Sequence, residues 1–212
     1  MKKQLWAYLN ADGEFEENIS ESLVHYGESG ADGIYLYDYA AQDEQEDVFL
    51  ELVKEVTGKI SVPIYVGCQV HCRAQLNEIL WSGAKGIIFS ECETEPELIR
   101  AAAELFGTEA VWVEVNAMYA DTKDGADAIR KAMLQAKEAG AGGILLKHVT
   151  IGPNIKAILQ EKLLPIWIRD SLVRNMSSEL LELDGCDALV TNYYREKDMK
   201  KAKQALFGAI AL

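Results

Sequence analysis

The chain has 212 residues, 34 of them acidic and 21 basic, giving a formal charge of −13 with 49% hydrophobic and 26% charged residues. This is the composition of a folded globular chain rather than a disordered one, and its acidity argues against nucleic acid and anionic membrane surfaces as partners. No run approaches the roughly 20 apolar residues a membrane helix needs. The N-terminal segment meets Asp12 and Glu14 after only a short apolar run, unlike a secretory leader. Four cysteines (68, 72, 92, 186) in so long a chain read as reduced thiols, so a cytoplasmic location is expected.

Strand-like and helix-like segments alternate along the whole chain. The expected order is strand Gln4–Leu9, helix Glu17–Ser29, strand Gly33–Asp38, helix Glu44–Gly58, strand Val62–Gly67, helix His71–Ser82, strand Gly86–Ser90 and helix Glu95–Phe106. It continues with strand Ala110–Asn116, helix Asp124–Ala139, strand Gly143–Lys147, helix Pro153–Glu161, strand Leu164–Arg169, helix Met176–Leu183, strand Asp187–Asn192 and helix Lys197–Phe207. The strands are apolar on both faces, as buried parallel strands are. The helices are amphipathic: Leu98, Ile99, Ala102 and Leu105 form one stripe, with Glu97, Arg100 and Glu104 opposite. Eight near-equal units predict an α/β fold, a single (β/α)8 TIM barrel, over a doubly wound open sheet.

Internal repeats support closure. Ser29-Gly-Ala-Asp-Gly-Ile34 recurs as Ser82-Gly-Ala-Lys-Gly-Ile87, Ala139-Gly-Ala-Gly-Gly-Ile144 and Asp184-Gly-Cys-Asp-Ala-Leu189, the first Gly falling where a helix ends. Val62-Pro-Ile-Tyr-Val66 returns as Leu164-Pro-Ile-Trp-Ile168, and Pro63 and Pro165 are 102 residues apart, as are Gly83 and Gly185. The expected organisation is one barrel of two similar halves, 1–109 and 110–212. The apolar stop at Ala209–Leu212 reads as the edge of a domain excised from a longer chain.

A barrel of this kind places its site at the C-terminal strand ends. Those ends hold Asn10, Asp38, Gly67-Cys68-Gln69, Ser90-Glu91-Cys92, Asn116, Lys147-His148, Arg169-Asp170 and Asn192.

The runs Gly30-Ala-Asp-Gly-Ile-Tyr-Leu-Tyr-Asp38, Val62-Pro-Ile-Tyr-Val-Gly67, Ser82-Gly-Ala-Lys-Gly-Ile-Ile88 and Glu138-Ala-Gly-Ala-Gly-Gly-Ile-Leu-Leu146 resemble the histidine-biosynthesis barrels, nearest the cyclase subunit of imidazole glycerol phosphate synthase. The resemblance implies an acid/base pair of aspartates at the ends of the first and fifth strands. Asn10 and Asn116 stand there, and an amide neither takes nor gives a proton near neutral pH. It also implies two Gly-rich loops whose N–H groups grip the phosphates of a phosphorylated small molecule. Here they read Val66-Gly67-Cys68-Gln69-Val70 and Arg169-Asp170-Ser171-Leu172, with one Gly left. Asp38 matches a family aspartate. The substrate-contacting candidates are therefore Asp38, Gly67, Lys147, Arg169, Asp170 and Asn192, and no cofactor is implied.

Cys68, His71, Cys72 and Cys92 are of types that bind Zn²⁺, but buried or semi-buried reduced thiols are the preferred reading, and no metal site is expected. Lys147 sits where barrel aldolases carry an imine-forming lysine, and His148 offers a rim acid/base or a surface hydrogen-bonding group. The four tryptophans (6, 81, 112, 167) are expected in the core.

Two functional readings stand. One is a pseudoenzyme barrel with a structural or binding role in histidine biosynthesis, fused to or associated with domains such as a bifunctional phosphoribosyl-AMP cyclohydrolase/phosphoribosyl-ATP pyrophosphatase. The other is an enzyme, either the family cyclase or isomerase with a rearranged site or a lysine-dependent aldolase-like activity.

Overall fold

The computed structural model describes residues 3–11, 18–38, 43–90, 95–170, 177–192 and 199–208. Its elements are β1 (Gln4–Asn10), α1 (Ile19–Ser29), β2 (Gly33–Asp38), α2 (Asp43–Thr57), β3 (Ile64–Cys68), α3 (Arg73–Trp81), β4 (Gly86–Ser90) and α4 (Pro96–Phe106). There follow β5 (Val111–Asn116), α5 (Lys123–Ala139), β6 (Gly143–Lys147), α6 (Pro153–Glu161), β7 (Ile166–Asp170), α7 (Ser177–Glu182), β8 (Ala188–Thr191) and α8 (Met199–Gly208). The strands pair in chain order, β8 returns to β1, and every pairing is parallel. The protein is a (β/α)8 barrel.

Two expected strands begin two residues later than their apolar runs. Pro63 and Pro165 lack the N–H that a ladder position donates, so β3 starts at Ile64 and β7 at Ile166. Their carbonyls still serve the neighbouring strands: Ile34 N–H donates to Pro63 at 2.9 Å and Ile144 N–H to Pro165 at 3.0 Å. Matching bonds recur elsewhere around the barrel. Ala11 N–H donates to Tyr37 O and Ala117 N–H to Lys147 O, each at 2.8 Å, so Asn10 and Asn116 occupy equivalent strand ends.

The repeated junction has a separate reason for each residue. Its first glycine ends a helix in left-handed backbone, with φ of 101° at both Gly30 and Gly140, a region that costs other residues more. Its aspartate, where present, anchors the preceding strand. Leu5 N–H donates to Asp32 Oδ2 at 2.7 Å, and Ile166 N–H to Asp187 Oδ2 at 2.9 Å. Its second glycine makes room inside the barrel. A Cβ on Gly33 would lie 2.4 Å from the Trp6 ring, and one on Gly143 would lie 2.3 Å from the Trp112 ring.

Those rings belong to a layered interior. Alternating side chains along each strand point to opposite faces, and Trp6, Tyr65, Trp112 and Trp167 come from β1, β3, β5 and β7, the odd strands. They form one contiguous aromatic layer: Trp112 stacks on Trp167 at 3.9 Å between centroids, Trp6 lies 4.4 Å from Trp167, and Tyr65 lies 4.9 Å from Trp6. Two residues higher on the even strands, Tyr35, Ile88, Leu145 and Val190 are fully buried and make a second dry layer. This is the alternate-strand filling of a packed barrel.

The outer register of the strands packs under the helices through residues such as Leu36, Val66, Ile87, Leu146 and Ile168. One expectation fails here. Trp81, the last residue of α3, is 77% exposed. The helix buries Leu76 and Ile79 instead, so its apolar face is complete without the indole.

Candidate active site

Above the two dry layers, the next inward positions of the odd strands are Tyr8, Gly67, Glu114 and Arg169, and those of the even strands are Tyr37, Ser90, Lys147 and Asn192. Here the interior changes from apolar to charged. Glu114 is 2% exposed and bridges two cations. Lys147 Nζ donates to its Oε1 at 2.7 Å, and Arg169 Nη1 donates to its Oε2 at 2.8 Å. Three adjacent strands thus supply one ion cluster. The guanidinium also lies over two rings, its Cζ 5.3 Å from the centre of Tyr8 and 5.6 Å from that of Tyr37, a favourable cation–π arrangement.

The electrostatics follow from that packing. Burial opposes the charge on Arg169, yet Glu114 and the neighbouring tyrosines outweigh it and hold the guanidinium above its ordinary value. Burial pushes the Tyr8 phenol up to about 12; Arg169 opposes the rise, while Tyr37, Asp170 and Glu114 add to it. Both groups keep their neutral-pH charge states.

Asn10 and Asn116 are exposed at their strand ends, one step above this cluster; Asn116 is in register with Lys147 and Asn10 with Tyr37. The Asn116 side chain shapes its loop: Met118 N–H donates to its Oδ1 at 3.0 Å. His148, next to Lys147, takes left-handed backbone with φ of 56°, an uncommon conformation for a residue with a Cβ. It turns the chain out of the barrel directly after β6.

Of the candidates from the sequence, Lys147 and Arg169 converge on Glu114, and Gly67, Asn10, Asn116 and Asn192 share their strand ends. Asp38 and Asp170 are buried, but they fall on the outer register with Leu36 and Ile168. Asp170 is still close enough for its charge to be felt at Tyr8. His71 and Cys72 open α3, where Gln75 Oε1 accepts both of their backbone N–H groups at 2.7 and 3.2 Å. Cys92 lies outside the described residues, and among those described no group of three or more His, Cys, Asp or Glu side chains could hold a metal ion. Glu114 is the residue sequence reasoning missed. Its signal was an acidic side chain in the apolar run Val111-Trp-Val-Glu-Val115, on the inward parity of Trp112.

Residues 9–152 match the family described as histidine biosynthesis protein. The chain belongs to that family. Among its relatives, this histidine-biosynthesis barrel is 33% identical over 98 residues to the imidazole glycerol phosphate synthase subunit HisF of Oceanobacillus iheyensis, covering 46% of this chain and 39% of that protein. It is 30% identical over 144 residues to the same subunit of Dehalococcoides mccartyi, covering 62% and 56%. The matches thus span less than two thirds of those relatives. In fold it resembles a thiamine phosphate pyrophosphorylase from Pyrococcus furiosus, with a TM-score of 0.65 over 97% of this chain and 94% of that one at 15% identity. That similarity concerns the barrel alone. Among the described residues no helix is long and apolar enough to cross a membrane.

Proposed function

We propose that this chain is a pseudoenzyme of the histidine-biosynthesis barrel family, a binding domain that does not run the cyclase or isomerase reaction. One observation carries the reading. The equivalent ends of β1 and β5, where the family resemblance implies a pair of acid/base aspartates, hold Asn10 and Asn116. General acid–base catalysis contributes roughly 10²–10⁴ in rate, and an amide cannot supply it. The inward carboxylate among the described residues, Glu114, is bonded to two cations and is a poor substitute. The same reading includes the two half-barrels, 1–109 and 110–212, and association with further histidine-biosynthesis domains such as phosphoribosyl-AMP cyclohydrolase.

The test is ammonia-dependent cyclase turnover by the chain itself and by the double reversal Asn10→Asp/Asn116→Asp. The wild-type chain should give background only, and a gain confined to the double reversal would support the reading. An aspartate can accept the Met118 N–H as Asn116 does, so the reversal should fold. Wild-type turnover well above background would overturn it.

A second reading has one observation in its favour. Lys147 is 26% accessible at the end of β6, and an imine-forming lysine must be open to its carbonyl substrate. If borohydride traps no carbonyl substrate on Lys147, that reading ends.

A further inference from the structure

We infer that Asn10 and Asn116 form a gated modification site: spontaneous deamidation would turn them into acids, and the strand ladder of the folded barrel holds that reaction shut. The significance of the two positions rests on the family reading above, and the chemistry rests on the fold.

The reaction needs no enzyme. The backbone nitrogen of the residue after an asparagine gives up its proton and attacks the side-chain Cγ. The bond from Cγ to the amide nitrogen breaks, ammonia leaves, and a cyclic imide remains. Water then opens the imide at one carbonyl or the other, to aspartate or to isoaspartate. Aspartate is the residue type that the family resemblance implies at both places, so one product of this reaction is the acid/base pair that the chain lacks.

Local chemistry favours the reaction. Both side chains are exposed, so water reaches them. Each is followed by alanine, Ala11 and Ala117, a smaller steric obstacle than the branched Ile19 and Ile155 that follow Asn18 and Asn154. At Asn116 the Met118 N–H, which donates to Oδ1 at 3.0 Å, also draws electron density from the carbon under attack.

The fold opposes it at the nucleophile. The attacking nitrogens are those of Ala11 and Ala117, and both are tied across the ladder: Ala11 N–H donates to Tyr37 O and Ala117 N–H to Lys147 O, each at 2.8 Å. A nitrogen in such a bond keeps its proton and lies in the plane of the sheet, whereas the side chain before it stands roughly perpendicular to that plane. Asn10 is in register with Tyr37 and Asn116 with Lys147, so swinging the nitrogen toward Cγ breaks the last pair of each ladder. The same lock stands at both equivalent strand ends. It opens only when the end of β1 or β5 detaches, and the rate of conversion reports that opening.

The test follows conversion at the two sites by peptide mapping of the full chain in mildly alkaline buffer, folded and in denaturing urea. Hydrogen exchange of the Ala11 and Ala117 amides is read in parallel. The folded chain should convert at least about ten-fold more slowly than the unfolded chain at both sites, with both amides protected from exchange to a similar degree. Equal conversion in the folded and unfolded chain, or Ala11 and Ala117 amides that exchange as fast as in the unfolded chain, would overturn the proposal. No variant is required, so the result does not depend on a substitution that folds. Cyclase turnover is read separately on freshly prepared chain: turnover by the amide form would overturn the pseudoenzyme reading and leave the lock intact, and a failed lock would leave that reading standing.

Discussion

The lower and upper halves of the barrel interior are built from the same strands, two residues apart, on opposite principles. In the lower half Trp6, Tyr65, Trp112 and Trp167 pack against one another, and glycines on neighbouring strands leave room for the rings. In the upper half Tyr8, Glu114, Lys147 and Arg169 hold charge in a place that remains partly open. The first arrangement is stabilised by contact area and shape, the second by pairing that only offsets the cost of taking charges from water. The lower half specifies the fold, and the upper half is where the charged groups gather.

The largest expected effect lies in the lower layer. Trp167 touches three other rings, and Trp167→Ala should cost roughly 3–5 kcal/mol in urea unfolding. A loss under about 1 kcal/mol would mean the layer is not the packed core described.

The upper layer should behave differently under single and combined substitution. Glu114→Ala leaves two cations unpaired and should cost about 3 kcal/mol, the lower end for a buried pair because both cations keep some solvent. Replacing the cluster together, Glu114→Leu with Lys147→Met and Arg169→Met, should be neutral or stabilising by up to about 4 kcal/mol. Chemical denaturation of both variants measures the contrast. If the triple variant is as unstable as the single one, the cluster is a structural element of the fold, and the comparison between the halves collapses.

A smaller effect is a pH dependence. The folded Tyr8 phenol titrates at about 12 against an ordinary value of 10.0, so the folded state holds this proton more tightly than the unfolded chain. Its stabilisation is complete below about pH 10 and is lost as pH rises toward 12. The urea midpoint should fall across that window, and Tyr8→Phe should flatten the fall. Burial also raises Tyr65 and pushes the Cys186 thiol from 9.0 up to about 12, so a residual slope is expected from both. A slope unchanged by Tyr8→Phe would show that the phenol is hydrated.

The architecture was legible because barrel strands are buried on both faces and read as unbroken apolar runs between amphipathic helices. The strand ends were legible with it, so Asn10, Asn116, Lys147 and Arg169 could be placed at the mouth. Contacts between strands were not. The second glycine of each repeat is recognisable as a motif, but only the register shows that Trp6 covers Gly33 and Trp112 covers Gly143. Glu114 was overlooked for the same reason: an isolated acid in a strand has no visible partner until β6 and β7 lie beside it. The outer register of Asp38 and Asp170 is a matter of parity, and counting back from Leu36 and Ile168 would have found it. Trp81 misled because residue type predicts burial less well than position on a helix face.

The central claim is that this family barrel has kept its fold and lost the family's proton chemistry at β1 and β5. Steady-state cyclase turnover by the unaltered chain, with ammonia as nitrogen donor, tests it most directly. The account predicts a rate indistinguishable from the protein-free reaction. Turnover that is well above that background, and abolished by replacing Asn10 or Asn116 with alanine, would contradict it.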